Sequence, residues 1–214
     1  MKNTKTFPLI FLIIGTFVMV LLLQATHHNL LPKRSKIDTP QNSESIQITK
    51  TMTGDETLNF YVQRYQSDEQ TAQRLLGTKV EALSNNSTKV ISIKLEVTEN
   101  YSPYLDLYCH VDGKNSDWSV LSIYSVQLYR KDGQVVKQFA GNIEVYLRSD
   151  HEIEYIINGD FYNSGKTEID NGGNVTICVG EGKSVCFTLT GEDPDEKGSY
   201  CYQCINVDLS KEIS

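Results

Sequence analysis

Residues 7 to 23 read FPLIFLIIGTFVMVLLL, 17 positions without a charged side chain. A helix over this run rises roughly 26 Å at about 1.5 Å per residue, close to the hydrocarbon thickness of a bilayer. It has no polar face, so it is a poor fit to the surface of a soluble core. Lys2 and Lys5 precede it, as in the basic region of an export signal. The run reads as a signal-anchor. The alternative is a cleaved signal peptide, for which the small residue near the apolar end is Ala25, with Leu23 at the −3 position. The expected organisation is a basic segment over 1–6, a membrane helix over 7–25, a polar stalk over 26–45 and a body over 46–214.

Charge divides the chain in the same place. Lys2, Lys5, Lys33, Arg34 and Lys36 are five of its 20 basic residues, and all 27 acidic residues follow from Asp38 onward. From residue 37 the chain therefore carries 15 basic against 27 acidic residues, a net charge of −12. A body this acidic repels phosphate backbones, which excludes nucleic acid as a partner. The basic residues on either side of the apolar run are balanced and do not choose an orientation. Five cysteines favour an oxidising compartment for the body. The sequons at Asn85, Asn86, Asn100 and Asn174 add little weight to this. The expectation is a single-pass membrane protein with its C-terminal body extracytoplasmic, or a secreted one if the leader is removed.

The body reads as mainly β. Residues 88–98, TKVISIKLEVT, are rich in β-branched types, and 79–83 precede them across the turn SNNS. Further strands are expected over 104–111, 119–130, 134–139, 142–148, 152–158, 174–179, 185–190 and 200–207. Turn chemistry separates them at Asp112-Gly113, Asp132-Gly133, Gly141-Asn142, Asn158-Gly159, Asn171-Gly172-Gly173 and Gly180-Glu181-Gly182. One short helix is expected after Ser67-Asp68-Glu69-Gln70, ending at Leu75-Leu76-Gly77. Residues 55–66 fit either a strand through Leu58, Phe60 and Val62 or a helix through Leu58, Tyr61, Val62 and Tyr65; strand is preferred. The fold class is an antiparallel β-sandwich with one short helix, preceded by the membrane helix.

The cysteines are Cys109, Cys178, Cys186, Cys201 and Cys204. Cys178 and Cys186 are equidistant from Gly182, so a hairpin centred there would bring them face to face. The alternative pairs each of them with Cys201 or Cys204. Cys201-Tyr202-Gln203-Cys204 is a CxxC, but no helix signal follows it as a redox motif requires. Structural disulfides are the expectation for these four, with Cys109 a buried or free thiol in an apolar strand. A zinc site is not expected, because the first pair is too widely spaced.

No catalytic or cofactor fingerprint is present. His27 and His28 sit at the membrane edge, and His110 and His151 are lone histidines on expected strands. The acidic stretch 191–198 lacks the ligand spacing of a calcium loop. Twelve tyrosines against one tryptophan suit either a sandwich core or a contact surface.

Three segments resemble parts of an immunoglobulin-like domain. Leu107-Tyr108-Cys109-His110-Val111 is similar to the L-x-C-x-V core strand, Val126 to Gly133 to the strand and turn after it, and Glu196 to Cys201 to the late D-x-G-x-Y-x-C strand. Leu128 stands where such domains place the core tryptophan. The resemblance implies a β-sandwich with an adhesion, receptor or assembly role. The functional expectation is a non-catalytic surface protein that binds another protein or a glycan. The alternative is a membrane-tethered thiol-disulfide or metal-handling protein acting through Cys201 and Cys204.

Overall fold

A computed structural model describes residues 45–77, 87–114, 117–170, 176–193 and 195–212. All belong to one compact unit, Ile37–Ser214. The leader over 7–25, the stalk to residue 44, the strand expected over 79–83, the Asn171-Gly172-Gly173 turn and the sequons at Asn85, Asn86 and Asn174 lie outside the described residues. Asn100 is exposed in a turn. Among the described residues no helix is long and apolar enough to cross a membrane.

The body is mainly β, with antiparallel sheets. A four-stranded sheet runs in the order β1 (Ile46–Ile48), β2 (Ser87–Lys94), β3 (Tyr104–Lys114) and β4 (Asp117–Tyr129). A short ladder of β5 (Lys131–Asp132) and β6 (Val135–Val136) turns at Gly133, whose φ of 58° suits a residue without a Cβ. The second sheet has five strands: β7 (Gln138–Ser149), β8 (Glu152–Tyr162), β9 (Lys166–Ile169), β10 (Gly182–Thr190) and β11 (Ser199–Asp208). Their spatial order is β11-β8-β7-β10-β9.

One apolar cluster takes side chains from both sheets, an arrangement consistent with the expected sandwich. From the first come Ile91, Ile93, Leu105, Leu107, Cys109, Ile123 and Val126; from the second Phe139, Ile143, Val145, Tyr155, Phe161, Phe187 and Val207. Burying each such side chain contributes about 1.5–3 kcal/mol, and this is the main term holding the sheets together.

The other face of the four-stranded sheet is covered too. Residues expected as a strand form helix α1 (Gly54–Tyr65), and α2 (Glu69–Leu75) follows it. Among the described residues the body thus has two α-helices where one helix was expected. The reason is local. Thr53 accepts from the Glu56 amide while the Glu56 side chain accepts from the Thr53 amide, a reciprocal cap that only a helix can use. Asp68 caps α2 through the Thr71 amide. Leu58, Tyr61, Ala72 and Leu76 pack with Val90, Tyr108 and Tyr124 of the sheet. A sheet covered on both faces is buried continuously rather than in alternation, and β2 and β4 show this: their buried runs take in Thr88, Lys89, Ser92, Ser125 and Gln127 as well as the apolar side chains.

A buried ion pair lies in that interface. The Asp106 side chain has no exposed surface and accepts from Arg64 Nη2 at 2.9 Å and Tyr65 Oη at 2.6 Å. Burial works against the Arg64 charge, but Asp106 outweighs it and holds the guanidinium pKa above its ordinary value. The same guanidinium lies 4.3 Å from the Tyr129 ring centre.

Three expected turns are not turns. Asp112-Gly113 lies inside β3, with Gly113 opposite Trp118 of β4. Gly141-Asn142 and Asn158-Gly159 lie inside β7 and β8, each longer than expected, and Gly141 is directly opposite Gly159. Both face the core beneath the Phe139 ring, which would be 2.9 Å from a Cβ at Gly141 and 2.7 Å from one at Gly159. The missing side chains let Phe139 lie flat across the ladder against Phe161 and Phe187, with centroids 4.7 and 5.6 Å away.

Two outcomes follow for stability, both read by urea titration of the full chain. Asp106→Ala leaves Arg64 buried without its partner and should cost about 3–5 kcal/mol. Gly159→Ala forces a methyl against Phe139 and the Ala140 carbonyl and should cost about 1–3 kcal/mol.

Candidate binding face

The two sheets differ in what covers them. Helices lie on the outer side of the four-stranded sheet, whereas no described element covers the outer face of the five-stranded one. Strand alternation decides what that face displays. Odd-numbered positions of β7, β8 and β11 point into the core, so even-numbered positions point out. Register aligns them in rows. Cys186, Asn142, Asn158 and Tyr202 form one row across β10, β7, β8 and β11. Ser184, Glu144, Ile156 and Cys204 form the next, and Tyr146, Glu154 and Asn206 the one beyond.

Hydrogen bonds order this surface. Glu144 accepts from Asn142 Nδ2 at 3.0 Å and from Tyr146 Oη at 2.7 Å. Holding that proton keeps the Tyr146 hydroxyl above its ordinary pKa. Ser184 Oγ donates to Asn142 Oδ1, and Tyr200 Oη donates to Asn158 Oδ1 at 2.9 Å. Arg148 pairs with Glu154 and stacks 4.5 Å from the Tyr146 ring centre. Tyr200 and Tyr202 are 63% and 42% exposed, although both belong to a regular strand. A firm platform of aromatic rings, amides and carboxylates suits contact with a partner surface.

The cysteines are placed differently from the expectation. None of the five is disulfide-bonded in this structure. The hairpin centred on Gly182 does not form, because both edges of β10 are already occupied. Cys186 is opposite Asn142 of β7, and its carbonyl accepts from Asp170 just beyond β9. Cys178 instead lies between Ile177, bridged to Ile123, and Val179, bridged to Leu147. Cys186 and Cys204 are three strands apart, roughly 14 Å at about 4.8 Å per strand, so they do not meet. Cys201 and Cys204 both lie on β11, at positions of opposite parity. Cys201 faces the core and Cys204 the outer surface, with roughly 10 Å of strand between them, whereas a disulfide needs Cα atoms within about 7 Å. Burial pushes the Cys201 thiol up to about 11 and raises that of buried Cys109 further, which makes both poor nucleophiles. The CxxC therefore has neither the helix nor the proximity of a redox pair.

The remaining singled-out residues have structural surroundings. His151 Nε2 lies 2.9 Å from the Trp118 carbonyl oxygen, and Nδ1 lies 3.0 Å from Asp150. In the acidic stretch, Glu196 accepts from the Asn163 amide and from Ser164. No group of His, Cys, Asp and Glu among the described residues is arranged to hold a metal ion. The three segments with the immunoglobulin-like resemblance fall on β3, on β4 with the β5–β6 turn, and at the start of β11. Reading the sequence by motif missed the outward face, since Asn142 and Asn158 looked like turn residues and Tyr202 like part of a CxxC. The usable signal was the alternation of Tyr200, Tyr202, Cys204 and Asn206. No family model, curated protein or solved structure matches the chain.

Beneath the helices, Thr88 Oγ1, Tyr108 Oη, His110 Nδ1 and Tyr124 Oη are buried without a hydrogen-bond partner among the described residues. His110 stacks on Tyr124 with centroids 4.3 Å apart, and burial holds its imidazole below the ordinary pKa. As pH falls below the unfolded value of about 6.5, the unfolded chain takes up the proton first, so this stabilisation is lost through that window. His110→Phe keeps the stack and removes the titration. Between pH 7 and 5 it should lose less unfolding free energy than the parent, and parallel losses would refute the assignment.

Proposed function

We propose that this chain is a non-catalytic surface protein that binds another protein or a glycan through the outward face of its five-stranded sheet. The leader holds it at a membrane with the body extracytoplasmic, or is removed to release it. The observation that carries the reading is the asymmetry of the two sheets. One has its outer face closed by helices, and the other presents exposed Tyr200 and Tyr202 among ordered amides and carboxylates. Exposed aromatic side chains fixed on a regular strand lose little entropy when they bind, which favours their use as anchors. The motifs of catalysis that the sequence lacks are consistent with this role.

The test uses the full chain in its own membrane. A photo-crosslinking aromatic residue in place of Tyr202 should trap a partner, whereas the same residue at exposed Asn59 on α1 should not. Tyr200→Ala with Tyr202→Ala should cost no more than about 2 kcal/mol of stability and abolish capture by a probe placed at Asn158. Equal trapping at Asn59 and Tyr202, or capture that survives loss of both tyrosines, would sink the reading. Digesting the adduct with protease or glycosidase separates a protein partner from a glycan.

A further inference from the structure

The two sheets have four edge strands, and three of them are blunted. β1 has three residues and β9 has four. β4 is long, but its register with β3 is shifted twice, Ile123 bridges to Ile177, and the Val120 amide donates to the Asp150 carbonyl. β11 is the exception. Its ten residues pair with β8 in unbroken register, from Ser199 opposite Phe161 to Asp208 opposite Glu152. From Ser199 to Val207 it contains no proline and no charged residue, and no described strand lies on its other side. Natural sheets usually protect such an edge with a bulge, a proline or a lysine, because unpaired amides and carbonyls there template another strand.

We propose that the edge of β11 accepts an extended segment of a partner protein as an added strand, with basic residues at both ends of an uncharged middle. Charge chooses this occupant. Glu192, Asp193 and Asp195 are exposed just before the strand, and Lys197 is the one cation between residues 191 and 208. At the far end Asp150, Glu152 and Asp208 line an open depression with His151, Ser149 and Ser210. The rail is thus neutral along its length and acidic at either end. A second copy of the chain is a poor occupant. Antiparallel pairing of β11 with itself brings the acidic start of one strand to the acidic end of the other. Strand addition supplies main-chain hydrogen bonds, and the terminal charges supply selectivity.

The inference rests on the binding reading above but uses the edge of the sheet rather than its face. The probes are a peptide of alternating threonine and valine with two lysines at each end, and its counterpart with two glutamates at each end. Both are titrated against the full chain in neutral detergent. The lysine peptide should bind, weaken as salt rises and slow amide exchange over Tyr200–Ile205. The glutamate peptide should bind at least about tenfold more weakly. The Asp193→Lys, Asp195→Lys double variant, altered only at exposed loop positions, should reverse that preference at the near end. Equal binding of the two peptides, exchange protection on β4 instead of β11, or a dimer whose protection maps to β11 would overturn the proposal. Failure here with Tyr202 crosslinking intact removes the edge and leaves the face. Strand capture without Tyr202 crosslinking removes the face and leaves the edge.

Discussion

Asp106 is fully buried between α1 and the four-stranded sheet, where Arg64 pairs with it and Tyr65 donates a hydrogen bond to it from the helix. Such a pair is a weak source of net stability, since desolvation offsets most of the attraction, but it strongly penalises any arrangement that separates the partners. Its consequence is orientation. The helix must lie with one face toward β3, and its apolar side chains Leu58 and Tyr61 then close over Tyr108 and Tyr124. Among the described residues, one sheet is buried on both sides and the other on a single face.

That asymmetry shapes the chemistry available to the body. The five-stranded sheet satisfies its inner face with Phe139, Phe161 and Phe187, and no described helix lies on its outer one. What appears outside is whatever the alternate positions encode. They encode tyrosine, asparagine, serine and glutamate, held by hydrogen bonds such as Tyr200 to Asn158 and Asn142 to Glu144. The same geometry disarms the cysteines. A CxxC on a strand divides its sulfurs between the two faces, while the same spacing on a helix would bring them together.

The glycines show how local rules yield to packing. Gly133 turns the chain with a positive φ, as its Asp-Gly setting implies. Gly141 and Gly159 sit in comparable settings and do not turn, because an aromatic ring uses the space that their missing side chains leave. Nothing within a few residues of either glycine announces Phe139 as the reason, since the ring makes its contacts across the ladder.

Local sequence patterns were enough for the acidic body, the strand-rich character, the helix at Glu69–Leu75 and the positions of β2, β3, β4, β8 and β11 to within a few residues. These follow from side-chain periodicity and turn chemistry, which act over short distances. The Thr53–Glu56 cap was legible as well, in Thr53-Gly54-Asp55-Glu56, but the alternation of Leu58, Phe60 and Val62 competed with it. Which strands neighbour one another, which sheet the helices cover, and therefore which face no described element covers, emerged from the packing of the whole body. Those outcomes depend on pairings between residues far apart in the chain, such as Arg64 with Asp106 and Asn142 with Cys186, and periodicity within a segment does not choose its partner.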